Sequence, residues 1–261
     1  MKIFFQKCQG TGNDFIILDN RENRYDTLTE KQVAFLCHRR FGIGADGLML
    51  LNRDTEYDFR MIYFNADGKE GSMCGNGGRC LVKFAYDNGI VKSQYSFIAT
   101  DGEHEAEVDI SGKVRLRMKD VSSVSDEIDH YILDTGSPHY VKFVQGLNDM
   151  EVKDEGRRIR YSKAFNAKGI NVNFVEEIDD HTIFVRTYER GVEDETYSCG
   201  TGVTASALVA AHNDNSFNEI DVKTIGGDLS VEFNAVNKEG FNNIWLIGPA
   251  EYVYSGELEL K

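Results

Sequence analysis

An α+β fold of two pseudo-symmetric halves, each a curved mixed or antiparallel β-sheet wrapped around one central buried helix, is what this sequence predicts. Three observations carry the prediction. Most of the chain reads as short runs of β-branched and aromatic residues bounded by Gly, Asn or Asp. Two segments stand apart as buried helices, one with apolar residues at helical spacing and one almost wholly apolar or small. Those two segments, with the strand and loop leading into each, resemble one another and lie about half a chain apart.

The strands expected are Lys2–Gln6, Phe15–Asp19, Phe59–Asn65, Val114–Met118, Asn171–Glu176, Thr182–Tyr188 and Ile244–Gly248. Gly10-Thr11-Gly12-Asn13-Asp14-Phe15 reads as a turn between two strands, with Asn13 free to face a ligand. Thr27-Leu28-Thr29-Glu30 has the spacing of a capping box opening a helix toward His38. Gly75–Asn88 carries Cys80, Leu81, Phe84 and Ala85 at helical spacing and stops at Asn88-Gly89. Gly200–His212 is almost wholly apolar or small and stops at Asn213-Asp214. In both halves a strand leads to a polar loop, then to Cys-Gly-x-Gly, then to a buried helix. A polar stretch over Asp120–Asp129 marks the expected boundary between the halves.

Composition narrows the class. The chain has 261 residues, 41% of them hydrophobic, which suits a globular protein with a sizeable core. No apolar run approaches a membrane-spanning length, and the N-terminal residues lack the apolar stretch of a secretory signal, so a cytoplasmic protein is expected. A net charge of −14 repels phosphate backbones and anionic lipid, which argues against nucleic-acid or membrane partners. The five cysteines form no Cys-x-x-Cys pair, so neither a zinc knuckle nor a disulfide framework is expected. Cys8, Cys37 and Cys80 read as small buried hydrophobes.

Cys74 and Cys199 have a different setting. Each precedes glycines that let the backbone turn tightly into a helix. The first amides of that helix have no internal partners and carry the positive end of its dipole. Such a terminus binds a carboxylate and favours a thiolate on the residue at the turn. Two such sites suit the inversion of a carbon next to a carboxylate. One thiolate takes the Cα proton, and a thiol on the other face returns one. Amides aimed at the carboxylate stabilise the charge that develops.

The ordered motifs resemble the diaminopimelate epimerase family over nearly the whole chain. They are Gly10–Phe15, Gly42–Asp46, Phe64–Gly68, Cys74–Cys80, Pro138-His139, Asn171–Phe174, Glu189–Gly191 and Cys199–Gly202. The resemblance implies two α+β halves, residues 1–120 plus 250–261 and residues 121–249, with the active site in the cleft between them. The last strand, around Ala250–Glu259, returns to the first half. The implied reaction interconverts LL- and meso-diaminopimelate, on the route to lysine and cell-wall peptidoglycan. It uses neither pyridoxal phosphate nor a metal. Cys74 and Cys199 become the acid–base pair. Gly75, Asn76, Gly200 and Thr201 hold the reacting carboxylate. Asn13, Asn65, Asn171, Glu189 and Arg190 grip the rest of the substrate, and His139 and Glu189 tune the thiols.

Two substrate-binding positions depart from the family pattern. Gly47 stands where Gln is frequent, and Ser137 where Asn is frequent; both changes bear on affinity more than on reaction type. A two-thiol racemase of the proline-racemase kind is the alternative, but its signatures differ at Asn76 and at Tyr197-Ser198. The partner expected is a small amino acid. A homodimer is compatible with the sequence.

Overall fold

A computed structural model describes residues 1–211, 216–236 and 240–260. It divides into two compact units, Met1–Leu116 with Pro249–Lys261, and Arg117–Gly248.

The first unit runs β1 (Lys2–Gly10), β2 (Asn13–Asp19), α1 (Glu30–Cys37), β3 (Gly47–Asn52), β4 (Phe59–Asn65), β5 (Glu70–Gly71), α2 (Gly75–Asp87), β6 (Gln94–Ala99), β7 (Gly102–Val108) and β8 (Val114–Arg117). Strands β1 and β2 pair antiparallel, β2 and β3 parallel, and β3 and β4 antiparallel. The far edge of β4 is shared by short antiparallel β5 and by parallel β6. Antiparallel β7 and β8 complete the order.

The second unit repeats this plan. It runs β9 (Val124–Asp126), β10 (Tyr131–Asp134), β11 (Pro138–Phe143), α3 (Val152–Arg160), β12 (Asn171–Asp179), β13 (Thr182–Glu189), β14 (Asp194–Thr196), α4 (Gly200–Val209), β15 (Phe217–Thr224), β16 (Gly227–Ala235) and β17 (Phe241–Gly248). The pairing of β10 to β17 has the same directions as that of β1 to β8: antiparallel, parallel, antiparallel, a split edge, then two antiparallel steps. Even the flanking strand matches. β18 (Glu251–Glu259) pairs antiparallel with β1, as β9 does with β10.

Helices α2 and α4 therefore hold equivalent places, each between the short strand and the parallel one. Every residue of α2 from Gly75 to Val82 is buried. Helix α4 is buried from Gly202 to Leu208. Burial on all sides explains the absence of a polar face in the sequence of α4. Among the described residues no helix is long and apolar enough to cross a membrane.

The expected strands are all present, several of them longer than the periodicity suggests. β1 runs on to Gly10, because Gly10 still pairs with Asn13 across a two-residue turn. In that turn Thr11 and Gly12 both have positive φ, at 48° and 83°, the conformation that matches strand twist in a hairpin. The capping box lies two residues later than expected. Thr29, not Thr27, caps α1, exchanging hydrogen bonds with Gln32. The Leu28 amide instead donates to the Tyr25 carbonyl, so the chain is still turning at Thr27. Helix α4 ends at Val209, and the stop expected at Asn213-Asp214 lies outside the described residues.

Helix α3 packs tightly against β13 through Gly156. A methyl group there would lie 2.3 Å from Tyr188 Cβ and 2.6 Å from Cγ. Tyr188 is fully buried, so it has no room to retreat. Gly156→Ala is expected to destabilise the protein by about 1–3 kcal/mol through overpacking, read as a lower urea midpoint with an unchanged slope.

Candidate functional site

Both sequence-predicted cysteines are helix N-caps. Cys74 caps α2 with φ −98° and ψ 131°, and Cys199 caps α4 with φ −116° and ψ 111°. Ser, Thr, Asp or Asn at this position would accept a hydrogen bond from the second or third helical amide. Neither cysteine makes a side-chain cap. The intrahelical ladder starts only with Gly78 N–H to the Cys74 carbonyl and Val203 N–H to the Cys199 carbonyl. The amides of residues 75–77 and 200–202 thus precede the ladder and sit at the positive end of a buried helix.

Cys74 is partly exposed, and Cys199 retains 9% exposure. The other three thiols are buried more deeply. Burial pushes Cys8 and Cys37 up to about 12 and Cys80 well above its ordinary value. Those three are packing residues and poor nucleophiles at neutral pH.

Around Cys74, two asparagine side chains are held in fixed senses by charged neighbours. Asn13 Nδ2 donates to Asp46 Oδ2 at 2.6 Å. A carboxylate only accepts, so Asn13 must turn its carbonyl oxygen the other way. That oxygen lies 3.5 Å from both Cys74 Sγ and Asn76 Nδ2. Arg79 donates to Asn76 Oδ1 at 3.0 Å. A guanidinium only donates, so the Asn76 NH2 is turned toward Asn13.

Arg79 is fully buried on α2. Its other contacts are Thr11 Oγ1 and the carbonyls of Gly75 and Pro249, at 3.4–3.5 Å. Among the described residues no carboxylate pairs with it. Burial lowers its pKa, yet a guanidinium stays charged at any physiological pH.

Asp46 is in turn fixed by Arg39, whose Nη2 reaches Asp46 Oδ1 and Asp14 Oδ1 at 2.6 Å each. Lys7 Nζ meets Asp14 Oδ2 at 2.6 Å. Burial pushes the Asp14 carboxyl upward, but Arg39 and Lys7 outweigh it and hold it at about 2. Sequence reasoning assigned no role to Asp46 or Arg79. The available signal was an arginine one residue before Cys80 and Leu81, on the stretch of α2 that reads as buried.

Around Cys199, Thr201 Oγ1 lies 3.5 Å from Sγ, and Thr135 Oγ1 donates to the Thr201 carbonyl at 2.9 Å. Gly202 permits a close approach of the helix to Asn173. A methyl group there would sit 2.3 Å from Asn173 Oδ1. Asn173 is buried, accepts from Thr187 Oγ1 at 2.9 Å and donates to the Tyr140 carbonyl at 3.0 Å. Its NH2 lies 3.1 Å from His139 Nδ1, which makes Nδ1 the acceptor and puts the ring proton on Nε2. Nε2 is buried with no partner among the described residues. Burial, with the nearby Arg190 charge, lowers His139 to about 3 against the opposing Asn173 bond.

Asn171, Ser137 and Arg190 come together. Asn171 Nδ2 donates to Ser137 Oγ at 2.9 Å and its Oδ1 accepts from the Arg190 backbone N–H at 2.8 Å. Arg190 Nη2 reaches Ser137 Oγ at 3.4 Å. Asn171 therefore ties the start of β11 to the end of β13, where Glu189 is the last strand residue and Arg190 opens the turn. Asn65 is exposed at the end of β4, and Gly47 lies directly opposite it on β3. Among the described residues no group of three or more His, Cys, Asp or Glu side chains could hold a metal ion.

This architecture is that of a broader class of proteins. A PhzF-family phenazine biosynthesis protein of Bacillus anthracis matches with a TM-score of 0.76 over 100% of both chains at 16% identity. A probable proline racemase from Agrobacterium radiobacter K84 matches with a TM-score of 0.68, covering 99% of this chain and 93% of its own, at 15% identity. At such identities the likeness establishes the fold alone. The sequence goes further. The diaminopimelate epimerase family model matches residues 5–124 and 131–253, and the chain belongs to that family. The diaminopimelate epimerase of Flavobacterium psychrophilum is 48% identical over 255 residues, spanning 97% of this chain and 98% of the relative. The proline-racemase alternative is left with a shared fold only.

The depressed pKa of His139 has a direct consequence. Its folded value, about 3, lies below the ordinary 6.5, so the unfolded chain takes up the proton first as pH falls. His139 contributes no pH dependence above about 6.5, removes stability as pH falls from there toward about 3, and adds no further loss below. Its ring resonances are expected not to titrate between about pH 7 and 5, where an ordinary histidine does. Titration of His139 in that range by NMR would contradict its buried, neutral state.

Proposed function

We propose that this protein epimerises LL-diaminopimelate to the meso isomer with two cysteines and no cofactor, serving lysine and peptidoglycan precursor synthesis. The observation that carries the reading is the duplicated device: a cysteine N-cap on a glycine-led buried helix, at the equivalent point of two topologically matched units. Membership of the diaminopimelate epimerase family supplies the substrate.

In the forward step a thiolate takes the Cα proton and becomes a thiol. The electron pair left on carbon is stabilised through the adjacent carboxylate by amides of Gly75, Asn76, Gly200 and Thr201. The other thiol gives its proton to the opposite face and becomes the thiolate. The carbon is inverted, and the two sulfurs have exchanged protonation states. The reverse reaction begins from that state. Asn13 and Asn76 act from the first unit with their amide senses already set. Asn65, Glu189 and Arg190 hold the end of the substrate remote from the reaction, with Asn171 and Ser137 bracing Arg190. An arginine suits a carboxylate there. His139, neutral with its ring proton on Nε2, and Glu189 tune the thiols, His139 without carrying a charge.

Incubation with LL-diaminopimelate in D2O under reductant should give deuterium at one Cα together with the meso isomer. If the folded, reduced protein gives neither, diaminopimelate is not the substrate, and proline and other amino acids are tested the same way. Cys74→Ser and Cys199→Ser are each expected to lower kcat by roughly 10^3-fold with the fold retained, in the range for losing a general acid or base. An amino-acid-binding protein would keep its affinity and have no turnover to lose. Mild oxidation should abolish turnover and thiol reductant restore it, since both thiols must be reduced to work.

A further inference from the structure

Strand β4 carries a tyrosine in a slot made by glycines on both neighbouring strands. Gly71 on β5 is directly opposite Tyr63, and Gly47 on β3 is opposite Asn65, two residues along the same face. A methyl group at Gly71 would lie 3.2 and 3.3 Å from Tyr63 Cδ1 and Cε1. One at Gly47 would lie 2.5 Å from Tyr63 Cε2 and 2.8 Å from its hydroxyl oxygen. The ring thus leans along the strand toward Asn65, and its hydroxyl occupies the space where a side chain at position 47 would begin. Phe15, edge-on to the ring with centroids 6.2 Å apart, holds it there. Asn13 stands two residues before Phe15 on β2, on the same face by strand alternation. The hydroxyl therefore lies on the face and at the strand ends that carry Asn13 and Asn65.

We propose that the Tyr63 hydroxyl is a substrate contact, donating from above Gly47 to a substrate carboxylate in place of the side chain that position 47 lacks. The proposal rests on the epimerase reading above. It turns Gly47 from a lost contact into the vacancy that lets another residue make one. Any side chain at 47 would collide with the ring and with the Phe64 carbonyl oxygen, which lies 2.7 Å from such a methyl group.

The test is steady-state kinetics of Tyr63→Phe beside wild type on LL-diaminopimelate. Phenylalanine keeps the ring, its packing on Phe15 and the slot, and removes only the hydroxyl. The expected result is a KM raised roughly tenfold with kcat within about twofold, as for one hydrogen bond to a charged group made equally in ground and transition states. An unchanged KM overturns the proposal, because a tyrosine that merely fills space loses nothing in this variant. Wild type that turns over beside an unaffected Tyr63→Phe removes this inference alone; idle wild type removes the epimerase reading and this inference with it.

Discussion

The structure depends on keeping the first turn of each buried helix free of side chains on its inner face. At Gly77 a methyl group would come within 3.2 Å of Met49 Sδ, and at Gly202 within 2.3 Å of Asn173 Oδ1. With glycine at these points the helix start sinks against the sheet, and the cysteine before it is left at the boundary between core and solvent. The unladdered amides then point along the helix axis rather than into water. Replacing the usual oxygen-bearing cap by cysteine keeps those amides available. Fold and chemistry thus share one requirement, which is why the same short motif opens both helices.

Charged residues beyond the thiols decide what the polar ones present. An asparagine offers a donor at one end and an acceptor at the other, and nothing in its own shape says which faces a ligand. Asp46 settles the question for Asn13, and Arg79 settles it for Asn76. The Lys7–Asp14–Arg39 cluster holds Asp46 in place from behind. In the second unit the same task falls to neutral groups: Thr187 and Tyr140 orient Asn173, and Asn173 selects the His139 tautomer. A chain with net charge −14 keeps a buried guanidinium just behind the first turn of α2, so local field and overall charge have opposite signs there.

Much of this was legible in the sequence because it rests on local rules. Glycine after cysteine, β-branched alternation and an apolar helix are written in consecutive residues. They located both N-caps and the strands β4 and β13 that lead toward them, but not the short strands β5 and β14 immediately before the caps. The capping residue of α1 was misplaced because Thr27 and Thr29 both have a plausible partner three residues on, and only the turn closed by Tyr25 and Leu28 separates them. The roles of Asp46, Arg79 and Asn173 were not legible. Asp46 and Asn173 act through contacts between residues far apart in the chain, and Arg79, one turn from Asn76 on the same helix, acts because folding buries it. The crowding of Gly47 by Tyr63 was not legible for the same reason, since the two are brought together only across the sheet.

Strand β18 lies against β1, and the N-terminal amine donates to the Leu260 carbonyl at 2.7 Å. During synthesis the second unit, residues 117–248, leaves the ribosome as one uninterrupted stretch. The first unit emerges earlier but lacks its edge strand until β18 is made. The half translated first is therefore the half completed last, and β1 waits through most of translation with one side unpaired, the kind of exposed edge that recruits the wrong strand.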